Sequence, residues 1–209
     1  MSVATIIFLV VVGVAAAWFA SRNYRGQIAA RSAVAALPVM TAQAPVADGS
    51  MVRVIGTVRM LEQLVAPLSG RPCVAYRTVC KLQEAVGTHG AQSSGALVQE
   101  QATMFALDRQ GDSSVLIDGS HLRLDLPSLA YGAMAGAARE QFLISRGISI
   151  RYATYANWTE QIVEAGTQIS VAGTVMHDGS GAGEMYRDTG APQVRMVGNA
   201  QYPLTINRA

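Results

Sequence analysis

The sequence predicts a mainly β protein: a small, partly open barrel domain with short helices, preceded by one N-terminal transmembrane helix. Three observations carry that reading. From Met51 onward apolar residues recur at every second position, the period of a half-buried strand. Two of these strand-like runs carry a glycine at the same internal place, where a bulge or sharp bend curls a sheet. Val3–Ala20 is an uncharged apolar run of eighteen residues, long enough to cross the hydrocarbon core of a bilayer as a helix.

The bulk properties agree. Half of the 209 residues are hydrophobic and 14% are charged. A soluble domain carries about 25% charged residues, so the chain is apolar for its length. Disorder as the dominant state needs low hydrophobicity and high net charge, and neither is present. Two cysteines exclude a disulfide-stapled miniprotein and a four-cysteine zinc site.

The apolar run defines the first of three regions, an anchor over residues 1–23. Trp18, Phe19 and Tyr24 gather at its far end, where amphipathic rings favour the headgroup level. A buried core helix would need cover on every side, and a cleaved signal peptide needs a positively charged start that this chain lacks. No Lys or Arg precedes the run, whereas Arg22, Arg25 and Arg31 follow it. The positive-inside rule then sets the N-terminus outside and the body in the cytoplasm. Residues 24–50 read as a basic juxtamembrane tether. Ile28–Leu37 forms a short helix in this reading, Pro38 and Pro45 break it, and Asp48-Gly49-Ser50 is a turn.

Residues 51–209 form the β domain. Their 13 basic and 13 acidic side chains cancel, which argues against nucleic acid as a partner. Val52, Val54, Gly56 and Val58 alternate with Arg53, Ile55, Thr57 and Arg59 in the first strand. Val74, Tyr76, Thr78, Cys80 and Leu82 mark one face of the second, and Leu122, Leu124 and Leu126 mark a third. Thr103–Leu107 and Ser114–Ile117 flank a turn and read as a hairpin. His89–Gly95 reads as a Gly/Ser-rich loop. Ser128–Phe142 reads as a short helix or an irregular crossover, and Tyr155–Glu164 as a second helical candidate. Val52-x-Val54-x-Gly56-x-Val58 is echoed by Ile169-x-Val171-x-Gly173-x-Val175. Two bent strands near the two ends of a strand-rich region fit a barrel of the oligonucleotide/oligosaccharide-binding (OB) type.

The chemistry-bearing residues are sparse. On one strand, Cys73 and Cys80 would lie about 23 Å apart and on opposite faces, which forbids a disulfide. Both read as buried structural cysteines, with Cys73, near Arg71, the one candidate thiol nucleophile. His89, His121 and His177 show no metal-ligand spacing. His177–Gly183 has the glycines of a phosphate loop but not its Lys-Ser/Thr pair. No catalytic, metal or cofactor residues are therefore assigned. Pro67-Leu68-Ser69-Gly70-Arg71-Pro72 reads as an exposed, stiff loop with Arg71 at its tip, offering up to about five hydrogen-bond donors to a partner. Ser69, Arg71 and Arg77 are the candidate partner-binding residues, with Arg77 inside a strand where an acid of a neighbouring strand can pair with it.

Residues 64–80, Leu-Val-Ala-Pro-Leu-Ser-Gly-Arg-Pro-Cys-Val-Ala-Tyr-Arg-Thr-Val-Cys, resemble the GIDE, or beside-a-membrane, domain. Further matches are Phe105-Ala-Leu-Asp with Asp118, and Glu160, Gly166 and Val171–Val175, so the resemblance covers roughly 51–176. The family is best known from MULAN, a ubiquitin ligase of the mitochondrial outer membrane, and has bacterial relatives. Its ligase activity resides in a RING, for whose two zinc ions two Cys and three His are too few. What the resemblance implies is a β-rich module held beside a membrane, in a bacterial-type member the inner membrane, that binds or scaffolds a protein partner. Two other readings stand beside it: an enzyme using Cys73 or an Arg71/Arg77 site, and an extracytoplasmic OB-type cofactor carrier.

Overall fold

A computed structural model describes residues 32–41, 46–81, 95–109, 114–130, 136–148, 157–178 and 193–209. The apolar run Val3–Ala20, the loop at 89–94 and residues 179–183 lie outside them, and no described helix is long and apolar enough to cross a membrane. The chain divides into two compact units, Met1–Pro38 and Val39–Ala209. Of the first, residues 32–38 are described, with a helical turn over 32–35 closed by Ala36 N donating to Ser32 O at 3.0 Å.

The second unit is mainly β, built on a closed five-stranded barrel. Its strands are β1 (Met51–Met60), β6 (Phe105–Asp108), β7 (Ser114–Ile117), β11 (Gln168–Asp178) and β12 (Gln193–Val197). The ring runs β1–β6–β7–β12–β11 and back to β1; only β7 and β12 pair in parallel. The sequence suggested a partly open barrel, and the length of β11 explains the difference. Its first seven residues pair with β1, while its other edge pairs first with β13 (Leu204–Arg208) and then with β12. β8 (Leu122–Asp125) adds to β13 in parallel and ends that sheet.

The two echoed strands are β1 and β11, and they are ladder neighbours. Val52 faces Gly173, Gly56 faces Ile169, and Val54 faces Val171 at the centre. Each glycine lies where its strand changes company. At Gly173, β11 passes from β13 to β12, and a Cβ there would collide with Leu204 Cδ2. At Gly56, β6 begins to cross β1, and a Cβ would lie 2.6 Å from Asp108 O. The inward residues of the ring, Val54, Phe105, Leu107, Ile117, Ile169 and Met196 among them, are fully buried. Each such side chain stabilises the fold by about 1.5–3 kcal/mol relative to exposure.

The two insertions between ring strands build a second sheet. β2 (Leu64–Val65), β3 (Pro72–Cys73), β4 (Ala75–Lys81) and β5 (Ala96–Ala102) lie between β1 and β6. β8, β9 (Leu129–Ala130), α1 (Gly136–Ile144) and β10 (Asn157–Val163) lie between β7 and β11. The sheet runs β5–β4–β10–β9, and β2 and β3 form a small separate ladder. Val74, Ala75 and Val163 join the barrel's core, so one apolar interior serves both sheets. On the far face, Phe142 and Leu143 of α1 pack with Leu68, Cys80 and Trp158. The Phe142 and Trp158 rings meet edge to face at 5.6 Å.

One expectation is corrected. Tyr155–Glu164 is not helical over its described residues: β10 is a strand paired with β4 over seven positions. The burial of Trp158 and Glu160 on one face shows the period of two. Ser128–Phe142 divides into β9 and the start of α1, with 131–135 outside the described residues.

The segment before β1 is fastened to the barrel. Val39 bridges Arg53, Met40 N donates to Arg53 O at 2.8 Å, and the Met40 side chain is buried. Gly49, at positive φ in the expected turn, donates to Val175 O at 2.9 Å. The Asp48 carboxylate accepts from His177 N at 2.8 Å and also contacts His177 Nδ1.

Candidate functional site

The loop Pro67–Pro72 stands on the short β2–β3 ladder, where Val65 faces Pro72 and Leu64 faces Cys73. It closes on itself through Ala66 N to Arg71 O at 3.0 Å and Gly70 N to Ala66 O at 2.9 Å. Gly70 adopts φ +68°, a left-handed conformation that favours glycine. Glu160 of β10 holds the loop from beneath. Its carboxylate accepts from Leu68 N at 2.9 Å, Ser69 N at 3.1 Å and the Thr78 hydroxyl at 3.1 Å. Glu160 and Thr78 are fully buried and face each other in the β10–β4 ladder. An ionised carboxylate only accepts, so several convergent donors make a buried one tolerable.

This geometry corrects the expectation of a wholly exposed loop. Ala66 and Leu68 are buried, Ser69 is half-buried, and only Gly70, Arg71 and Pro72 are exposed. Leu68 is drawn in because its backbone donates to Glu160 and its side chain completes the cluster of Cys80, Phe142, Leu143 and Trp158.

The three candidate partner-binding residues do not form one group. Ser69 and Arg71 share the loop, and the Arg71 backbone N donates to Ser69 Oγ at 3.4 Å. The Arg71 guanidinium is half exposed and pairs with Glu164 at 2.6 Å. Arg77 lies on the other face of β4: Tyr76, Thr78 and Cys80 turn toward the loop and α1, and Arg77 alternates with them. Its ladder partners are Glu100 and Gln161, and its Nε stands 3.8 Å from the Glu100 carboxylate, an ion pair beyond hydrogen-bond reach.

Cys73 and Cys80 are free and fully buried. Burial pushes both thiols up to about 11, and the charges of Glu160 and Glu164 add to the effect at Cys73. Thiolate, the reactive form, is therefore scarce at neutral pH at either cysteine. His121 is exposed at the end of the 3-10 turn Gly119–His121, and His177 meets Asp48; His89 lies outside the described residues. Among the described residues, no three His, Cys, Asp or Glu side chains gather closely enough to hold a metal ion.

A cavity of about 490 Å³ opens where the end of β5 meets the 3-10 turn and the segment 199–203. Glu100, Ser120, His121 and Asn199 give it a polar lining. Burial raises the Glu100 carboxyl above the usual range, opposed by Arg77, the Leu124 backbone N–H and Arg123. The walls are pre-formed. Asp118 caps the turn by accepting from Ser120 N at 2.9 Å and also binds Arg195. Asn199 Oδ1 accepts from Gln201 N at 2.9 Å and Tyr202 N at 2.7 Å. Gly119 packs so closely that a Cβ would stand 2.7 Å from Thr103 O. Sequence reasoning missed this cavity, because its walls come from three separate loops and strand ends with no shared motif. It missed the role of Glu160 because that residue lay inside a stretch read as helical.

No protein-family profile, curated protein or solved structure matches the chain.

Proposed function

We propose that this protein is a single-pass membrane-anchored binding or scaffolding module of the GIDE type, holding an OB-like barrel at the cytoplasmic face of a bacterial inner membrane. The observation that carries the reading is the loop held by Glu160. Two distant stretches that support the GIDE resemblance, residues 64–80 and Glu160, meet in one hydrogen-bonded unit. That unit fixes the backbone of Leu68 and Ser69 and leaves Gly70, Arg71 and Pro72 outermost. A stiff loop with a half-exposed guanidinium suits recognition of an acidic partner group, because little conformational freedom is lost on binding. The ring order supports the OB reading: first, second, third, fifth and fourth ring strands in sequence, with only the third and fifth parallel. Anchoring rests on Val3–Ala20 and the arginines that follow it.

Affinity capture of the full chain from native membranes tests the binding reading, with wild type and Arg71→Ala compared at matched abundance. A stoichiometric partner retained by the wild type and depleted by Arg71→Ala supports it. Capture indifferent to the substitution, with the melting temperature lowered instead, shows a structural loop and overturns the assignment. Topology is tested separately: a C-terminal alkaline phosphatase fusion should be inactive and a fluorescent fusion bright, and the reverse pattern overturns the cytoplasmic placement.

A further inference from the structure

All seven residues of β5 pair with β4 along one edge, from Ala102 opposite Ala75 to Ala96 opposite Lys81. The sheet order leaves the other edge without a strand among the described residues. A free edge presents a row of unpaired N–H and C=O groups, which natural sheets blunt with lysine, proline, a bulge or a cover. β5 contains neither lysine nor proline, its register with β4 has no bulge, and Val98 is 46% exposed; the 3-10 turn packs against the strand only at its end, where Gly119 meets Ala102 and Thr103, so the open edge lies N-terminal to Ala102. Glu100, Gln101 and Ala102 point alternately to the two faces of the sheet, yet all three line the cavity. The cavity therefore runs along the edge of the strand.

We propose that this edge is an interface between two copies of the chain, with β5 pairing antiparallel to β5 of the second copy about a two-fold axis through Val98. The side chains select this register. About Val98, the two Val98 residues face each other, each backed by Val79, its partner in β4, so four valines form one apolar row across the joint. Ala96 then faces the partner's Glu100. Lys81, beside Ala96 in β4, comes within two strand spacings, about 10 Å between backbones, of the partner's Glu100. The lysine of the second copy would then join Arg77, which already faces Glu100 within its own sheet. An axis through Gln99 sets each Glu100 against the partner's Val98, and one through Glu100 opposes two carboxylates, which destabilises a pair. An axis through Leu97 leaves only three strand residues paired, Ala96–Val98. The joined sheet would be eight strands wide, related by a symmetry in which each copy offers the same patch. This inference rests on sheet geometry and goes beyond the anchoring and the loop.

The test uses the full chain in nanodiscs loaded with two copies and exploits the burial of Cys73 and Cys80, which leaves an introduced thiol as the accessible one. Val98→Cys should form a disulfide-linked dimer under mild oxidation, because facing positions of paired strands lie within disulfide reach. Leu129→Cys and Met176→Cys, exposed elsewhere, should cross-link at least about tenfold more slowly. Val98→Lys places like charges at the axis and should weaken self-association of the detergent-solubilised chain by at least about tenfold in sedimentation. The proposal is overturned if Val98→Cys cross-links no faster than the two controls, if the wild type is monomeric throughout, or if Val98→Lys associates as well as wild type. In the last case the apolar N-terminal run carries the association.

Discussion

Replacing Glu160 by Gln keeps the size of the side chain and removes its ability to accept on both oxygens. In the wild type, Oε1 accepts from Leu68 N and the Thr78 hydroxyl, and Oε2 accepts from Ser69 N. The glutamine oxygen can serve the first two, but its amide then meets the Ser69 N–H donor to donor. One charge-assisted hydrogen bond is lost and a part-buried N–H is left without an acceptor, which together cost about 3 kcal/mol. In a body of this size, 1 kcal/mol moves Tm by about 2–4 °C, so Glu160→Gln should lower Tm by roughly 6–12 °C. Far-ultraviolet circular dichroism of the detergent-solubilised chain reads the transition. Amide exchange at Leu68 and Ser69, which should accelerate, locates its origin. Glu164→Gln is the control: its pair with Arg71 is half exposed and should contribute about 1 kcal/mol or less. If Glu160→Gln shifts Tm no more than Glu164→Gln, the carboxylate does not hold the loop and the reasoning fails.

Four further outcomes follow from the structure. Gly173→Ala should destabilise by about 1–3 kcal/mol through overpacking against Leu204, and adding Leu204→Ala should cost less than the two single changes summed; strict additivity in denaturant unfolding would refute the contact. Neither thiol should react appreciably with an aromatic disulfide reagent in the native protein, while two should react in denaturant. Both thiols have folded values near 11, against an ordinary value near 9. Their contribution to stability is therefore complete below about pH 9 and is lost as pH rises toward 11, because the unfolded chain ionises first. A melting temperature flat from pH 8 to 11 would contradict this. Arg71→Ala and Arg77→Ala should each cost about 1 kcal/mol or less, since both ion pairs are part-exposed and the Arg77 pair is too long for a hydrogen bond; a loss above about 2 kcal/mol at either would show a packing role for that arginine.

The sequence exposed the ring strands best where one face is buried. The alternation in β1 reports its own packing, since every second side chain enters the core, and the matched glycines at 56 and 173 lie where each strand changes neighbour and no Cβ fits. The hairpin β6–β7 was visible for the same reason. Local pattern failed where distant contacts decide the outcome. Trp158-Thr159-Glu160-Gln161 carries no strong strand signal alone and becomes a strand because β4 lies beside it. Pro67-Leu68-Ser69-Gly70 announces a turn but not that Leu68 is buried, because the acceptor that draws it in lies 92 residues away. The cavity was illegible because its walls belong to β5, the 3-10 turn and the segment 199–203, which meet only in the folded chain.

The pairing of β1 with β11 also sets the order of events in time. Val52 and its echo Ile169 are 117 residues apart, yet their strands form one ladder. At about 5–20 residues per second, a ribosome needs roughly 6–23 s to deliver the second strand after the first. The four-stranded sheet waits as well, since β4 gains its inner neighbour only when β10 is made. Contacts of such long sequence separation slow folding, because loop closure must precede any gain from pairing. The nascent chain therefore holds the valines of β1 and the free edges of β1, β4 and β7 in readiness until its last quarter emerges. A nonsense codon before β10 would leave a truncated product unable to complete either sheet, with apolar strands exposed to aggregation and proteolysis rather than an independently folded smaller domain.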